Sequence, residues 1–334
     1  MDLCSVLCVL LIVFFSVCLA IICLSDSDII TFLSCYLGKQ PVDAFKDSVV
    51  WITGASSGIG EGITKELSKC EGSKIVISAR REDELKRVKA DCLAANPSRN
   101  QNSILILPLD MTNYASHEPA LKKVLQTFGK LDVLVSNAGR SQRAKWHEIE
   151  QEVDKQLFDL NVFSLVNMNR IVLRHFFEAG KGHLAVISSI AGKIGAPNSG
   201  SYTGSKFALH GYFESLRNEI RNRNIGITMI CPGPVFSSVL KEAFTSKINQ
   251  KVDQDHSPSD KRMTPERCGF LSLVAIGNQL EESWCSPFPI IFLTYLSAYQ
   301  PYIFSKLSQL MHSTGYFTKL RDNKNITELT NKEN

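Results

Sequence analysis

Through the middle of the chain, short apolar runs alternate with longer charged stretches. "SVVWIT", "KIVISA", "SILILPL", "LDVLVS", "HLAVISS" and "IGITMIC" are rich in Val, Ile and Leu and almost unbroken in apolar character. Strands covered on both faces read this way, whereas a half-exposed strand would alternate. Between them, "REDELKRVKADCLAA" and "EPALKKVLQTFG" place apolar residues at helical spacing among charges. Six strands alternating with helices predict an α/β fold, a doubly wound parallel sheet with helices on both faces.

Three segments fall outside that rhythm. Leu3 to Leu24 has no charged residue over 22 positions, the length a helix needs to cross about 30 Å of hydrocarbon. A cleaved signal is the competing reading, but its apolar core is usually only ~7 to 15 residues after a positive leader, and here Asp2 precedes the run. An uncleaved anchor is therefore expected over residues 1–25, followed by a connector over 26–46, a catalytic domain over 47–287 and an apolar extension with a polar tail over 288–334. Lys241 to Cys268 is polar and long, and loops of that length in compact domains are usually functional or disordered. Phe288 to Phe304 is strongly apolar but interrupted by Pro301, which predicts a buried C-terminal helix, a membrane-contacting lip or a dimer face.

Composition narrows the function classes. A formal charge of +4 and 44% hydrophobic content show no basic surplus of the kind that binds nucleic acid. Of ten cysteines, Cys4, Cys8, Cys18 and Cys23 lie in the expected anchor, and the others show no metal-ligand spacing, so neither zinc nor a disulfide framework is expected. The nearest lysine to the anchor is Lys39, too far to set its orientation. "NIT" at Asn325 is a glycosylation-type sequon, and a glycan there would place the C-terminus in the lumen.

Chemistry concentrates at the ends of the strands. The first runs into "TGASSGIG", with Gly54, Ser56, Ser57, Gly58, Ile59 and Gly60. A glycine-rich turn between strand and helix lets the backbone approach a pyrophosphate, which then sits on helix amides. The second ends in "ISARRED", and Arg80 and Arg81 stand where an NAD site would usually carry an acid. A guanidinium suits a 2'-phosphate through paired, charge-assisted contacts, so NADP(H) is expected. In "GSYTGSKFAL", Tyr202 and Lys206 are four apart at a helix start and share one face. The ammonium favours the phenolate, and such a phenol can exchange a proton near neutrality. Tyr302 and Lys306 repeat the spacing, but thirteen residues before Tyr302 is Pro289, whereas thirteen before Tyr202 is Ser189. Only the first copy can assemble Ser, Tyr and Lys.

With "TGASSGIG", the "SNAG" after the fourth strand, Asn161 in "LNVFS", Ser189, Tyr202 with Lys206, and "CPGPVFS" after the sixth, the chain resembles the short-chain dehydrogenases/reductases across Asp47 to Trp284. The resemblance implies a Rossmann-type fold. It implies Tyr202 as acid or base, Lys206 lowering its pKa and holding the ribose, Ser189 orienting a carbonyl and Asn161 supporting a proton-relay water. It implies cofactor contacts at Asp110, at Asn137, Ala138 and Gly139, and at Pro232, Gly233, Val235 and Ser237. It also implies a homodimer through the helices near Asn161 and Tyr202. Three positions depart from the family's pattern: Ser136 replaces a common Asn, Ser57 stands where NADP-dependent relatives often carry a base, and Ser237 replaces a commoner Thr. None of these removes a catalytic group. A lipophilic substrate follows from the anchor and the apolar extension, and the resemblance points to retinoids, steroids, quinones and similar carbonyls. The expected partners are therefore that substrate and a lipid bilayer, in a single-pass membrane protein of the endoplasmic reticulum. A non-catalytic NADP-binding scaffold or sensor, and an epimerase or dehydratase on the same fold, are the alternatives.

Overall fold

The structure, a computed structural model, describes residues 3–238, 240–255 and 260–314. The Asn325 sequon and the polar tail lie outside the described residues. The chain begins with helix α1 (Leu3–Leu24), α2 (Ile29–Leu37) and α3 (Pro41–Ala44). Then follow β1 (Val49–Thr53), α4 (Gly58–Leu67), β2 (Lys74–Ser78), α5 (Glu82–Ala95), β3 (Ile104–Ile106), α6 (His117–Phe128) and β4 (Val133–Ser136). The second half has α7 (Gln151–Phe158), a π turn (Asp159–Phe163), α8 (Ser164–Ala179), β5 (Gly182–Ile187), α9 (Gly200–Glu219) and β6 (Ile225–Pro232). It closes with α10 (Pro265–Gly277), β7 (Glu282–Cys285), α11 (Ile290–Tyr299) and α12 (Pro301–Ser313).

The seven strands form one parallel sheet in the order β3-β2-β1-β4-β5-β6-β7. The strand order reverses between β1 and β4, and that switch point opens a crevice at the carboxyl ends of the strands. The two faces are both dry. Val50 and Ile52 point to the core under α4, α5 and α10, while Val49 and Trp51 point to the core under α6, α8 and α9. Six strands were expected from the apolar runs, and β7 is the seventh. Its sequence, "ESWC", is only four residues long and opens on Glu282 and Ser283, so it carries no hydrophobic run; its burial comes from β6 on one side and α2 on the other.

The segment expected as a connector is built into the body. Asp28 caps α2, accepting from the Thr31 amide at 2.9 Å and its hydroxyl at 2.7 Å. The same carboxylate accepts the Trp284 amide of β7 at 2.7 Å, and Thr31 meets Ser283 at 2.7 Å. Arg267 on α10 grips Asp26 through two guanidinium contacts of 2.7 and 2.9 Å. By contrast α1 is charge-free and unburied, and its 22 residues would extend roughly 33 Å, enough to span a membrane. Ile22 near its end joins an apolar cluster with Ile190, Ile194, Trp284, Ile291 and Leu293. The apolar extension is two helices broken at Pro301, one side buried in this cluster and the other exposing Tyr299, Tyr302, Ile303 and Leu310.

One core residue makes stability depend on pH. His183 is buried behind β6, its Nε2 is 2.9 Å from the Thr228 hydroxyl, and that hydroxyl donates to Leu280 O. Burial lowers its pKa to about 4, so the folded state holds a neutral ring. Its contribution is complete above the free value near 6.5 and is lost as pH falls toward 4, by roughly 3 kcal/mol for a shift of this size. Denaturant titrations of the detergent-solubilised protein at pH 7 and pH 4.5 should show this loss, and His183→Gln should reduce the pH dependence.

Candidate active site

The crevice at the switch point is a cleft of about 510 Å³ with a polar and an apolar end. At its floor, Gly54 and Gly58 adopt positive φ of 66° and 58°, and a Cβ on Gly58 would lie 2.7 Å from the Ser237 side chain. Only glycine allows the β1–α4 turn to pass this close to the loop after β6. Ser57 precedes α4 without placing its side chain on the helix amides, which leaves the first turn directed into the cleft as an anion-binding end. Asn137 ties β4 to this turn, its Nδ2 donating to Thr53 O and Gly54 O, each at 3.0 Å. Ser56, Ile59, Ala138 and Gly139 line the same floor, and Pro232, Gly233, Val235 and Ser237 line the opposite wall. Gly60 does not reach the cleft; it packs against Gly54 O.

Arg80 and Arg81 stand exposed on the rim beyond β2, and among the described residues their guanidinium groups make no hydrogen bond or ion pair. Two unpaired guanidinium groups beside helix amides are a donor set that fits a phosphorylated dinucleotide. Asp110 lines the cleft nearby and accepts from the Thr112 amide and hydroxyl at 2.9 and 2.8 Å. Partial burial works to raise its pKa, but those bonds and the charge of Arg80 hold it below the usual value.

At the apolar end, Ser189, Tyr202 and Lys206 face one space walled by Ile190, Ile194, Ile290 and Leu293. Lys206 is 4% exposed, its Nζ lies 5.8 Å from the centre of the Tyr202 ring and donates to Ile187 O at 2.9 Å. Burial lowers the ammonium to about 8. Ser189 also caps a short turn, its Oγ accepting the Ala191 amide at 3.1 Å. The second Tyr-Lys pair has almost the same geometry, with Lys306 Nζ 5.7 Å from the Tyr302 ring centre. Tyr302, however, is 74% exposed. Burial, not spacing, distinguishes the two copies.

Asn161 is held by contacts to the loop after β4 and to α9. Its side chain is fully buried in the π turn and lies outside the cleft. Oδ1 accepts the Arg140 amide at 2.8 Å, and Nδ2 donates to Arg140 O at 2.9 Å and Ser205 Oγ at 3.0 Å. The amide thus fixes the loop after Gly139 to α9. Single π turns recur at functional sites because they widen the helix backbone. Sequence reasoning missed Arg140, which lines the cleft, stacks 4.7 Å over Phe244 and pairs with Glu242 at 3.4 Å. Glu242 is held more closely by Lys251 at 2.8 Å. No motif marks these residues, since three of the four lie in the polar segment after β6.

A parallel sheet with this switch-point cleft and this Ser, Tyr and Lys cluster defines a nucleotide-dependent oxidoreductase. The family model described as short chain dehydrogenase matches residues 48–248, and the chain belongs to the short-chain dehydrogenase/reductase family. It is 40% identical over 278 residues to human dehydrogenase/reductase SDR family member 7, covering 83% of this chain and 81% of that protein. The mouse protein of the same name is 41% identical over 279 residues, with the same coverage. Among solved structures, a short chain dehydrogenase/reductase from Burkholderia phymatum in complex with NAD aligns with a TM-score of 0.66 at 21% identity, over 78% of this chain and 96% of that one. An alcohol dehydrogenase from the archaeon Thermococcus sibiricus, complexed with 5-hydroxy-NADP, aligns at 0.62 and 23% identity, over 72% of this chain and 97% of that one. At these identities the structural matches establish the fold.

The two Tyr-Lys pairs give a direct test. Tyr202→Phe should lower kcat by about a thousandfold or more with the fold intact, whereas Tyr302→Phe should leave it within about twofold. Steady-state rates and a thermal melt on both variants check this.

Proposed function

We propose that this protein is a membrane-held, NADP(H)-dependent oxidoreductase that interconverts a lipophilic carbonyl and its alcohol. The observation that carries the reading is the buried Lys206 ammonium against Tyr202, at the apolar end of a cleft whose polar rim holds two unpaired arginines. A nicotinamide bound along this cleft supplies or accepts the hydride. Gly54, Ser56, Ser57, Gly58 and Ile59 would hold its pyrophosphate, Arg80 and Arg81 the 2'-phosphate, and Asp110 the adenine. Asn137, Ala138 and Gly139, with Pro232, Gly233, Val235 and Ser237, would line its remaining length.

In the reductive direction Tyr202 gives its phenolic proton to the oxygen that gains charge, and Ser189 Oγ donates a hydrogen bond to the same oxygen. Lys206 stabilises the phenolate that remains, because its charge is desolvated and close to the ring. In the oxidative direction the phenolate takes the alcohol proton. Asn161 acts by holding the backbone of the Arg140 loop against α9.

Substrate class follows from what walls the apolar end. Ile290 and Leu293 of α11 wall the cleft beside Ile190 and Ile194, and that helix packs beside the end of α1. Exposed Ile30, Leu33 and Leu37 on α2, and Ile303 and Leu310 on α12, would lie against the headgroups if α1 spans the bilayer. A retinoid, steroid, quinone or similar carbonyl dissolved in the membrane would then reach the site without crossing water. We assign residues 1–25 as anchor, 26–46 as a docked connector, 47–287 as the catalytic domain and 288–334 as the apolar extension with its polar tail. The endoplasmic reticulum is the proposed location. Exposed Phe163, Phe177, Phe207 and Tyr212 on the π turn, α8 and α9 favour a homodimer through that face.

NADPH oxidation by membranes carrying the protein, with retinal, a ketosteroid, a quinone and a small aldehyde, tests the reading. Lipophilic carbonyls should turn over and Tyr202→Phe should not support the reaction; bound NADPH without turnover of any carbonyl would refute it. Arg80→Asp should shift the NADPH to NADH preference by about tenfold or more toward NADH, and an unchanged ratio would refute the phosphate assignment. Ile303→Asp with Leu310→Asp should raise KM for retinal in vesicles and leave the small aldehyde unaffected.

A further inference from the structure

Beneath the catalytic pair lies a second polar cluster that the reaction does not use. On α9 the residues Tyr202, Lys206, His210 and Glu214 follow one another at intervals of four, so a phenol, an ammonium, an imidazole and a carboxylate share one helix face. His210 is 6% exposed. Its Nε2 lies 3.1 Å from Ser188 Oγ, and that hydroxyl is 3.3 Å from the backbone oxygen of Lys206. Its Nδ1 lies 3.5 Å from Glu282 Oε2 on β7 and 3.8 Å from Glu214 Oε1. Lys193, in the turn after β5, holds Glu282 at 3.0 Å, and the Trp284 indole donates to the same carboxylate. Cys231 Sγ on β6 is 3.6 Å from Nε2.

Three readings of this cluster can be separated. Ser188, His210 and Glu282 stand in the order of a hydrolytic triad, but Ser188 is 3% exposed, and a Cβ on Gly192 would lie 2.7 Å from its Oγ and 3.1 Å from His210 Nε2. No acyl group has room beside that oxygen, so nucleophilic attack is excluded. His210, Glu214 and Glu282 place ligand atoms within 4.8 Å of one another, as a metal site would. The Lys193 ammonium already supplies positive charge to Glu282, so a second cation there would be repelled. What remains is a role in holding Ser188, and through it the strand end and helix that carry Ser189 and Lys206.

We propose that His210, facing Glu282, is a positioning residue for the catalytic segment, its Nε2 holding the Ser188 hydroxyl between β5 and α9. This rests on the reading of Tyr202 and Lys206 given above. The Nδ1 side of the ring faces Glu282 and Glu214 without a hydrogen bond to either, while Nε2 and the Lys206 carbonyl both lie within reach of the Ser188 hydroxyl. Glu282 stays ionised: burial works to raise its carboxyl, but the facing His210 and Trp284 side chains and the charge of Lys193 hold it at about 2. Burial keeps the Cys231 thiol protonated. The link also extends outward, because Trp284 packs edge-on to Tyr295 at 5.0 Å, and the Tyr295 hydroxyl accepts the Ile29 amide at 3.0 Å.

The full-length protein in membranes gives the test, with His210→Gln and His210→Leu. Glutamine places an amide nitrogen near the Nε2 position, so its kcat should stay within about threefold. Leucine should lower kcat by about tenfold or more, with the Kd for NADPH unchanged and the protein still folded by thermal melt. Unchanged kcat in His210→Leu would overturn the proposal, as would equal losses in the two variants or a lowered melting temperature with kcat intact, which is a structural role alone. If Tyr202→Phe keeps full turnover, the catalytic assignment fails, and the two His210 variants compared with each other still decide the positioning role.

Discussion

The ammonium of Lys206 is the charge around which the rest of the site is arranged. It is buried, it donates to a backbone oxygen, and no carboxylate is paired with it among the described residues. A cation in that position is costly unless its surroundings are fixed, because desolvation favours the neutral amine. The fixing comes from both sides. β5 presents Ile187 O at its end, and α9 is held in place by Ser199 and Ser205 hydrogen bonds to the loop after Gly139 and to the Asn161 turn. A charge that the protein cannot easily screen acts strongly on the one group next to it, the Tyr202 phenol.

The exposed Tyr302 and Lys306 pair shows what that arrangement adds. Helix geometry gives both pairs nearly the same separation, so spacing in the sequence could not rank them. Ser189 could, since it is a separate residue brought in by a neighbouring strand. The distinction that matters physically, desolvation of the lysine, is a tertiary property and appears only when the sheet and helix are assembled.

The same contrast accounts for what was legible in the chain. Strands β1 to β6 were read because they are buried on both faces and therefore continuously apolar. β7 was not, because Glu282 and Ser283 stand in it as members of polar contacts, to Lys193 and to Thr31. The glycine turn, the arginines and the Ser, Tyr and Lys group were readable as motifs, and the cleft brings them together. Asn161 was readable as a residue near the site, but its bonds to Arg140 and Ser205 were not, since they form only when the loop and α9 pack together. Arg140, His210 and the docking of α2 had no local signal at all: each depends on a partner more than seventy residues away, Glu242, Glu282 and Ser283.

The union of α2 with β7 also sets where the chain can be shortened. Asp28 and Thr31 complete the last strand of the sheet from outside the catalytic segment. A cut placed just before β1 would therefore leave the Trp284 amide and the Ser283 hydroxyl without those partners and uncover the edge of β7 beside Glu282. The folded body therefore reaches back to Asp26, two residues after α1 ends.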